Sequence, residues 1–174
     1  MKYYIDIKRL IMMDIHLERV KEIHSDDISK LVGELLQEIM QRIDIKAFNF
    51  DLEQTTKRLK EFIETEKNFV FVAKDDDNLI GFITIYESFA LYAEGAFGTI
   101  AELYVKPHYR SKGIGKMLIE KAKEFGTNRN WTRLEVTTPP LPQFDNTLEF
   151  YSKEEFEISG GRKMKVLLRG LLNE

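Results

Sequence analysis

Residues 98–126, GTIAELYVKPHYRSKGIGKMLIEKAKEFG, decide how the rest of the chain is read. Residues 100–105 are rich in β-branched and aromatic types and stop before Pro107, which predicts a strand. Gly113 then opens a helix with apolar residues at Ile114, Met117, Leu118, Ala122 and Phe125, a spacing of three and four that marks one buried face. Between the two lies Arg110-Ser111-Lys112-Gly113-Ile114-Gly115, followed by Lys116. A helix start carries unpaired N–H groups and the positive end of the dipole, so it suits an anion. Glycines let the backbone curl towards a ligand. Arg110, Lys112 and Lys116 sit where a helix prefers acids, a conflict of roughly 0.3–1 kcal/mol each that a bound polyanion removes. Phosphate is the obvious candidate; a surface loop with chance glycines and a solvated basic cluster is the alternative.

Spacing excludes two phosphate-binding signatures. There is no Gly-x4-Gly-Lys-Ser/Thr run, and Gly113-x-Gly115 lacks the outer glycines of a dinucleotide fingerprint. Arg-x-x-Gly-x-Gly after a strand ending in Val105 and Pro107 resembles the signature of the GNAT family of acyl-CoA N-acyltransferases. The resemblance implies that the loop of Arg110, Ser111, Lys112, Gly113, Ile114, Gly115 and Lys116 grips the pyrophosphate of acetyl-CoA through its amides. It also implies that backbone groups of Leu103, Tyr104 and Val105 face the pantetheine arm, where this strand splays from a neighbour at residues 131–138.

The chain of 174 residues is long enough for one domain with a sizeable core, and 43% hydrophobic with 32% charged residues is the composition of a soluble globular protein. A net charge of −3 and a pI near 5.8 argue against nucleic acid as the main partner. The absence of cysteine rules out disulfides, thiolate metal sites and a cysteine nucleophile. No apolar run approaches the ~20 residues of a membrane span, and the N-terminus lacks an export signal. The expectation is therefore a cytoplasmic protein with no membrane partner. Residues 1–13 read as an N-terminal extension, with Met12 or Met13 as alternative starts, and residues 14–174 as a single domain.

Along the chain, residues 15–20 alternate as a half-buried strand. Ser25 is a good N-cap, and Ile28, Leu31, Val32, Leu35, Leu36, Ile39, Met40 and Ile43 give an amphipathic helix. Asp51-x-x-Gln54 resembles a capping box ahead of Leu52, Leu59, Phe62 and Ile63. In the family pattern these helices and their connection cover the acceptor, so residues 45–50, Phe48 above all, are either a pocket wall or ordinary core. Residues 68–74 and 79–86 read as strands joined by a turn at 75–78, whose three aspartates are a solvated turn, not a calcium loop. Residues 88–98 read as a flexible, aromatic-containing loop leading into the central strand, with Tyr86 before it and Phe89 and Tyr92 in it as candidates to reach the acceptor. Residues 131–138 read as a strand and the proline run at 139–142 as a stiff connection.

A second stretch, residues 146–156, resembles the family's Asn-x-x-Ala-x-x-Phe-Tyr-x-x-x-Gly-Phe, a short helix beside the cofactor. Asn146, as a cofactor-binding residue, stands closer to Phe150 than is usual there, and Glu155 replaces the glycine. A turn at Gly160 and Gly161 and a closing strand at residues 162–169 complete the order β-α-α-β-β-β-α-β-α-β. The resemblance thus implies an α/β fold with a mixed, mostly antiparallel central sheet flanked by helices.

Acyl transfer from a thioester to an amine needs a held donor, a deprotonated amine and a proton for the thiolate. The resemblance nominates Tyr151 as general acid, and a phenol with an ordinary pKa of about 10 is protonated near neutrality; a packing tyrosine is the alternative. Glu102 is the candidate base, acting directly or through water, because a carboxylate inside a central strand needs a reason. Strand alternation puts it with Ile100 and Tyr104, opposite Leu103 and Val105; pairing with an arginine is the alternative. His16, His24 and His108 make no metal or triad pattern, and no serine lies in a nucleophile elbow. The expectation is direct acetyl transfer, without metal, from acetyl-CoA to an amine of a small molecule or protein. A longer acyl-CoA and a non-catalytic CoA-binding module are the alternatives, and family habit adds a homodimer.

Overall fold

The computed structural model describes residues 14–22, 26–159 and 163–166. Ser25 and the extension at 1–13 lie outside the described residues. Five strands, β1 (Ile15–Val20), β2 (Phe69–Asp75), β3 (Asn78–Ala90), β4 (Gly95–Val105) and β5 (Leu134–Val136), form one sheet in that order. The first three pairings are antiparallel and β4–β5 is parallel. Four helices accompany it: α1 (Asp27–Ile43), α2 (Leu52–Glu64), α3 (Ile114–Asn128) and α4 (Asp145–Lys153). This is the mixed, mostly antiparallel α/β fold expected.

The sheet is covered on both faces, which is why β2 reads as an unbroken apolar run. Phe69, Phe71 and Ala73 face one core with Ile83, Ile85, Ile100 and the α3 residues Ile114, Leu118, Ile119 and Ala122. Val70 and Val72 face the other with Phe82, Tyr104 and the α1–α2 residues Ile28, Leu31, Leu59 and Ile63. Each large side chain buried this way contributes about 1.5–3 kcal/mol. The capping box is half realised: Asp51 accepts from the Gln54 amide at 2.7 Å.

Four expectations need correction. Residues 88–98 are no flexible loop. β3 and β4 run on as a hairpin pairing Ala90 with Gly95, closed by a 3-10 turn at Leu91–Ala93. Phe89 and Tyr92 are 74% and 77% exposed at its tip, roughly 20 Å along the strand from Glu102, so they stand away from the site. β5 has only three residues, Leu134–Val136, and Pro139 and Pro140, which have no N–H, keep the ladder from resuming beyond Thr138. The described part of the predicted closing strand, residues 163–166, is exposed and outside the sheet. Finally, the register passes from Thr84↔Glu102 to Ile85↔Ile100, so Ala101 bulges out of β4. The bulge reverses the alternation: Ile100 faces the α3 core and Tyr104 the α1 core. Glu102 therefore shares a face with Tyr104 but not with Ile100.

Candidate active site

The strand-to-helix junction after β4 is built around Gly113, the N-cap of α3, at φ 82°. Only glycine adopts this without strain, and a Cβ there meets nothing within 4 Å, so the surface above it is open to a ligand. The Met117 amide closes the first turn on the Gly113 carbonyl at 2.9 Å. The amides of Ile114, Gly115 and Lys116 precede any intrahelical acceptor, and no side chain caps them. Their dipole end, with Lys112 and Lys116, fits a diphosphate. Lys112 lies 5.4 Å over the Tyr109 ring, and Lys116 borders an open groove shared with Gly113, Met117 and Leu17. Gly115 serves packing: a Cβ would come within 3.1 Å of the Phe150 ring, so its absence lets α4 dock on α3.

The Arg110 side chain turns towards α1. Its guanidinium donates to both Glu38 carboxylate oxygens, at 3.0 and 2.6 Å, and its Nε to the Val105 carbonyl at 2.8 Å. Glu38 holds Arg110 charged, and Arg110 holds the Glu38 carboxyl below the usual carboxylate range. The side chain is committed to α1, not free above the loop.

β4 and β5 pair only at Gly98↔Leu134, Thr99↔Glu135 and Ile100↔Val136. Beyond Ile100 the strands part, and residues 101–105, including Leu103, Tyr104 and Val105, have no β5 partner. Glu102 lies at this parting. The Thr84 hydroxyl donates to its Oε2 and accepts from its amide at 3.1 Å. Burial pushes the Glu102 carboxyl up, with the Thr84 hydrogen bond opposing. The alternative arginine partner is not what the structure gives it. Tyr104, on the same face, donates to Glu34 Oε2 at 3.2 Å, and burial first, then Glu34, pushes its phenol up to about 12.

Tyr86 and Thr84 alternate onto this face, and Ser88 and Thr99, 2.9 Å apart, continue it. Glu135, in register with Thr99 and paired with Arg133 at 2.8 Å, adds a second carboxylate. Sequence reasoning missed Glu38, Thr84 and Glu135; alternation across a correctly bounded β5 would have found the last. Between α1 and α2, Phe48 is 39% exposed while Phe50 packs on Gly33 of α1.

Tyr151 lies on the opposite face, in the α3 core, between Phe150 and Phe156 at ring separations of 5.2 and 5.3 Å. Among the described residues no hydrogen bond to its hydroxyl is made, and burial alone pushes its pKa above the ordinary phenol value. Glu102 and Tyr151 are thus not side by side: Tyr151 belongs to the core on the α3 side of the sheet and Glu102 to the face it shares with Tyr104. Asn146 is exposed on the first turn of α4. Glu155 takes the left-handed conformation, φ 70°, that the family gives to glycine. Among the described residues no group of acids, histidines or cysteines could hold a metal ion, and no helix is long and apolar enough to cross a membrane.

The family model for the GNAT acetyltransferases matches residues 34–153. An uncharacterized N-acetyltransferase of Archaeoglobus fulgidus is 36% identical over 72 residues, covering 41% of this chain and 49% of that protein. The chain spans about half the length of the curated relatives it matches. Among solved structures, an integron cassette protein from a salt-marsh metagenome superposes with a TM-score of 0.71 at 18% identity, covering 88% of this chain and 91% of that one. An aminoglycoside acetyltransferase from a soil metagenome superposes at 0.62 with 20% identity, covering 90% and 96%. At such identities the likeness is one of fold. With the family model spanning both the Gly113 junction and Tyr151, the chain belongs to the GNAT acetyltransferase family.

Proposed function

We propose that this protein is an acetyl-CoA-dependent N-acetyltransferase that moves an acetyl group directly to a primary amine of a small molecule or protein. The observation that carries the reading is the conjunction at the end of β4: a carboxylate at the parting of β4 and β5, one loop away from an uncapped, basic helix start. Acetyl-CoA, when bound, supplies the activated acyl group. The amides of residues 112–116, with Lys112 and Lys116, would hold its diphosphate, and the unpaired backbone of residues 103–105 would hydrogen-bond its arm.

Glu102 takes a proton from the acceptor ammonium, directly or through water, and so frees the amine to attack the thioester carbonyl. Its raised pKa brings it closer to the range where a carboxylate is an effective base, and Thr84 fixes its orientation. Tyr151 stays protonated and gives its phenolic proton to the departing thiolate, a role suited to a hydroxyl with no competing acceptor. Base and acid approach from opposite faces of the sheet, and the gap beyond Ile100 opens a passage between them. Tyr86, Phe48 and Glu135 would border the acceptor; Glu135 suits a cationic one. Asn146 is assigned to the donor side. Residues 14–174 act as one catalytic domain, and a cytoplasmic location goes with the donor.

Calorimetry with acetyl-CoA is the first test, followed by thiol release in an amine screen. Binding and amine-dependent thiol release are expected. Binding without release from any amine would favour the non-catalytic CoA-binding module, and no binding would end the reading.

A further inference from the structure

Of the loop cations Arg110, Lys112 and Lys116, Arg110 alone is ion-paired among the described residues, while Lys112 lies over the Tyr109 ring. The Arg110 fork grips Glu38 through two hydrogen bonds, its Nε holds the carbonyl that ends β4, and its plane lies 5.4 Å from the Tyr104 ring centroid. Glu38 is one of three polar residues spaced four apart along α1. Glu34 accepts from Tyr104. Glu38 accepts from Arg110 and, at 2.5 Å, from Arg42. Arg42 in turn lies 5.1 Å from the ring of Phe144, the N-cap of the helix that carries Tyr151. One stripe of α1 therefore touches the end of β4, the donor loop and the leader of α4.

We propose that Arg110 is a positioning residue, not a phosphate ligand: with Glu38 it forms a strut that holds the donor loop against α1 and couples the donor side of the site to the acceptor side. The inference deepens the acetyltransferase reading and rests on its donor site. A guanidinium whose fork and Nε are already bound keeps two N–H groups, one on each terminal nitrogen and pointing apart, so it cannot grip a diphosphate as a bidentate fork, whereas Lys112 and Lys116 stand at the helix start itself. The loop's charge and its shape are thus assigned to different residues. The lysines attract the anion; Arg110 sets the frame.

The two roles predict opposite signs for one substitution. If Arg110 were a phosphate ligand restrained by Glu38, Glu38→Gln would free it and tighten CoA. If it is a strut, the same change loosens the loop. Calorimetry of CoA against full-length wild type, Glu38→Gln, Arg110→Gln, the double variant and Lys116→Gln, at several salt concentrations, separates them. Glu38→Gln and Arg110→Gln should each weaken CoA about five- to tenfold, the low end of site-to-site coupling for a partly buried pair, and the double variant no further. The salt dependence should match wild type in both and flatten in Lys116→Gln. Tighter binding in Glu38→Gln, or a flattened salt dependence in Arg110→Gln, would overturn the strut.

Amide hydrogen exchange keeps the strut testable even if wild type binds no CoA, a result that refutes the donor site alone. Exchange at residues 106–113 should quicken in Glu38→Gln but not in Lys116→Gln. Unchanged exchange would overturn the proposal.

Discussion

Replacing Gly33 by alanine sets two effects of similar size against each other. Gly33 lies within α1, and an added Cβ would sit 2.7 Å from Cε1 and Cζ of the Phe50 ring. Those atoms are the free end of a side chain, so the ring swings away before the helix moves. Phe50 is 39% exposed, so about three-fifths of its surface is hidden. With full burial of a phenylalanine contributing about 1.5–3 kcal/mol, expelling the ring loses roughly 1–2 kcal/mol. Alanine inside a helix gains about 0.8–1.0 kcal/mol over glycine. The net loss is then between zero and about 1 kcal/mol, a fall in Tm of no more than about 4 °C. Local order responds more strongly: with Phe50 released, chymotrypsin should cut the α1–α2 connection, at Phe48 or Phe50, well before the rest of the protein. The decisive comparison is a double-mutant cycle. In a Phe50→Ala background nothing blocks the new methyl, so Gly33→Ala should stabilise by about 1 kcal/mol, reversing its sign. Thermal melts of the four proteins measure this. A Gly33→Ala loss of the same sign and size in both backgrounds would show that Phe50 does not lie over Gly33.

Glu102→Gln keeps an oxygen for the Thr84 hydroxyl but abolishes the base, so amine-dependent thiol release should fall about 10²–10⁴-fold, and the acidic limb of the wild-type pH profile should disappear. Wild-type rate should fall as pH drops through the raised Glu102 pKa. Stability runs the other way: a carboxyl with a raised folded pKa contributes most below its unfolded pKa and loses that contribution as pH rises through the folded one. The variant should therefore melt higher than wild type at pH 7 and converge with it near about pH 4; a lower melt at pH 7 would contradict the burial of the charge. Tyr151→Phe removes a hydroxyl that makes no hydrogen bond among the described residues, so Tm should hold while kcat drops about 100-fold; an unchanged kcat would make Tyr151 a packing residue. Glu155→Gly relieves a left-handed φ that costs a side chain about 1 kcal/mol and gives up only the exposed 3.2 Å contact with Lys123, so Tm should rise by roughly 2–4 °C, and a fall would refute the strain.

What the sequence disclosed was whatever local chemistry dictates. The spacing of Ile114, Leu118 and Ala122 marked the buried face of α3, Gly113 marked its start, and the acidic run at 75–78 marked a turn. What it concealed depends on pairing between distant segments. The Ala101 bulge is a relation between β3 and β4, invisible in either strand alone, yet it decides which face receives Glu102. Arg110 has the character of a phosphate ligand in isolation; its partner lies 72 residues earlier in the chain. The β3–β4 hairpin was hidden because the strand reading stopped at Tyr86 and Ser88 onward read as loop, although Glu87 accepts the Trp131 indole N–H and Ser88 bonds Thr99. A threonine in a strand is ordinary, and nothing local singled out Thr84 as the partner of Glu102.

The parting of β4 from β5 also bears on solubility. Most sheets expose unpaired strand edges only at their margins, where charges, prolines or short length guard them. Here a stretch of such edge, residues 101–105, lies inside the sheet order, between β3 on one side and the departing β5 on the other. Any extended peptide that entered the gap would find a ready ladder, so the same opening proposed for a pantetheine arm is a template for self-association. Pro139 and Pro140, just beyond β5, cannot supply the matching donors, which keeps the chain from sealing its own cleft while denying a continuous second rail to an intruder. Donor binding would therefore act as a folding guardian as well as a substrate: at millimolar protein, light scattering should grow more slowly with CoA present than without it.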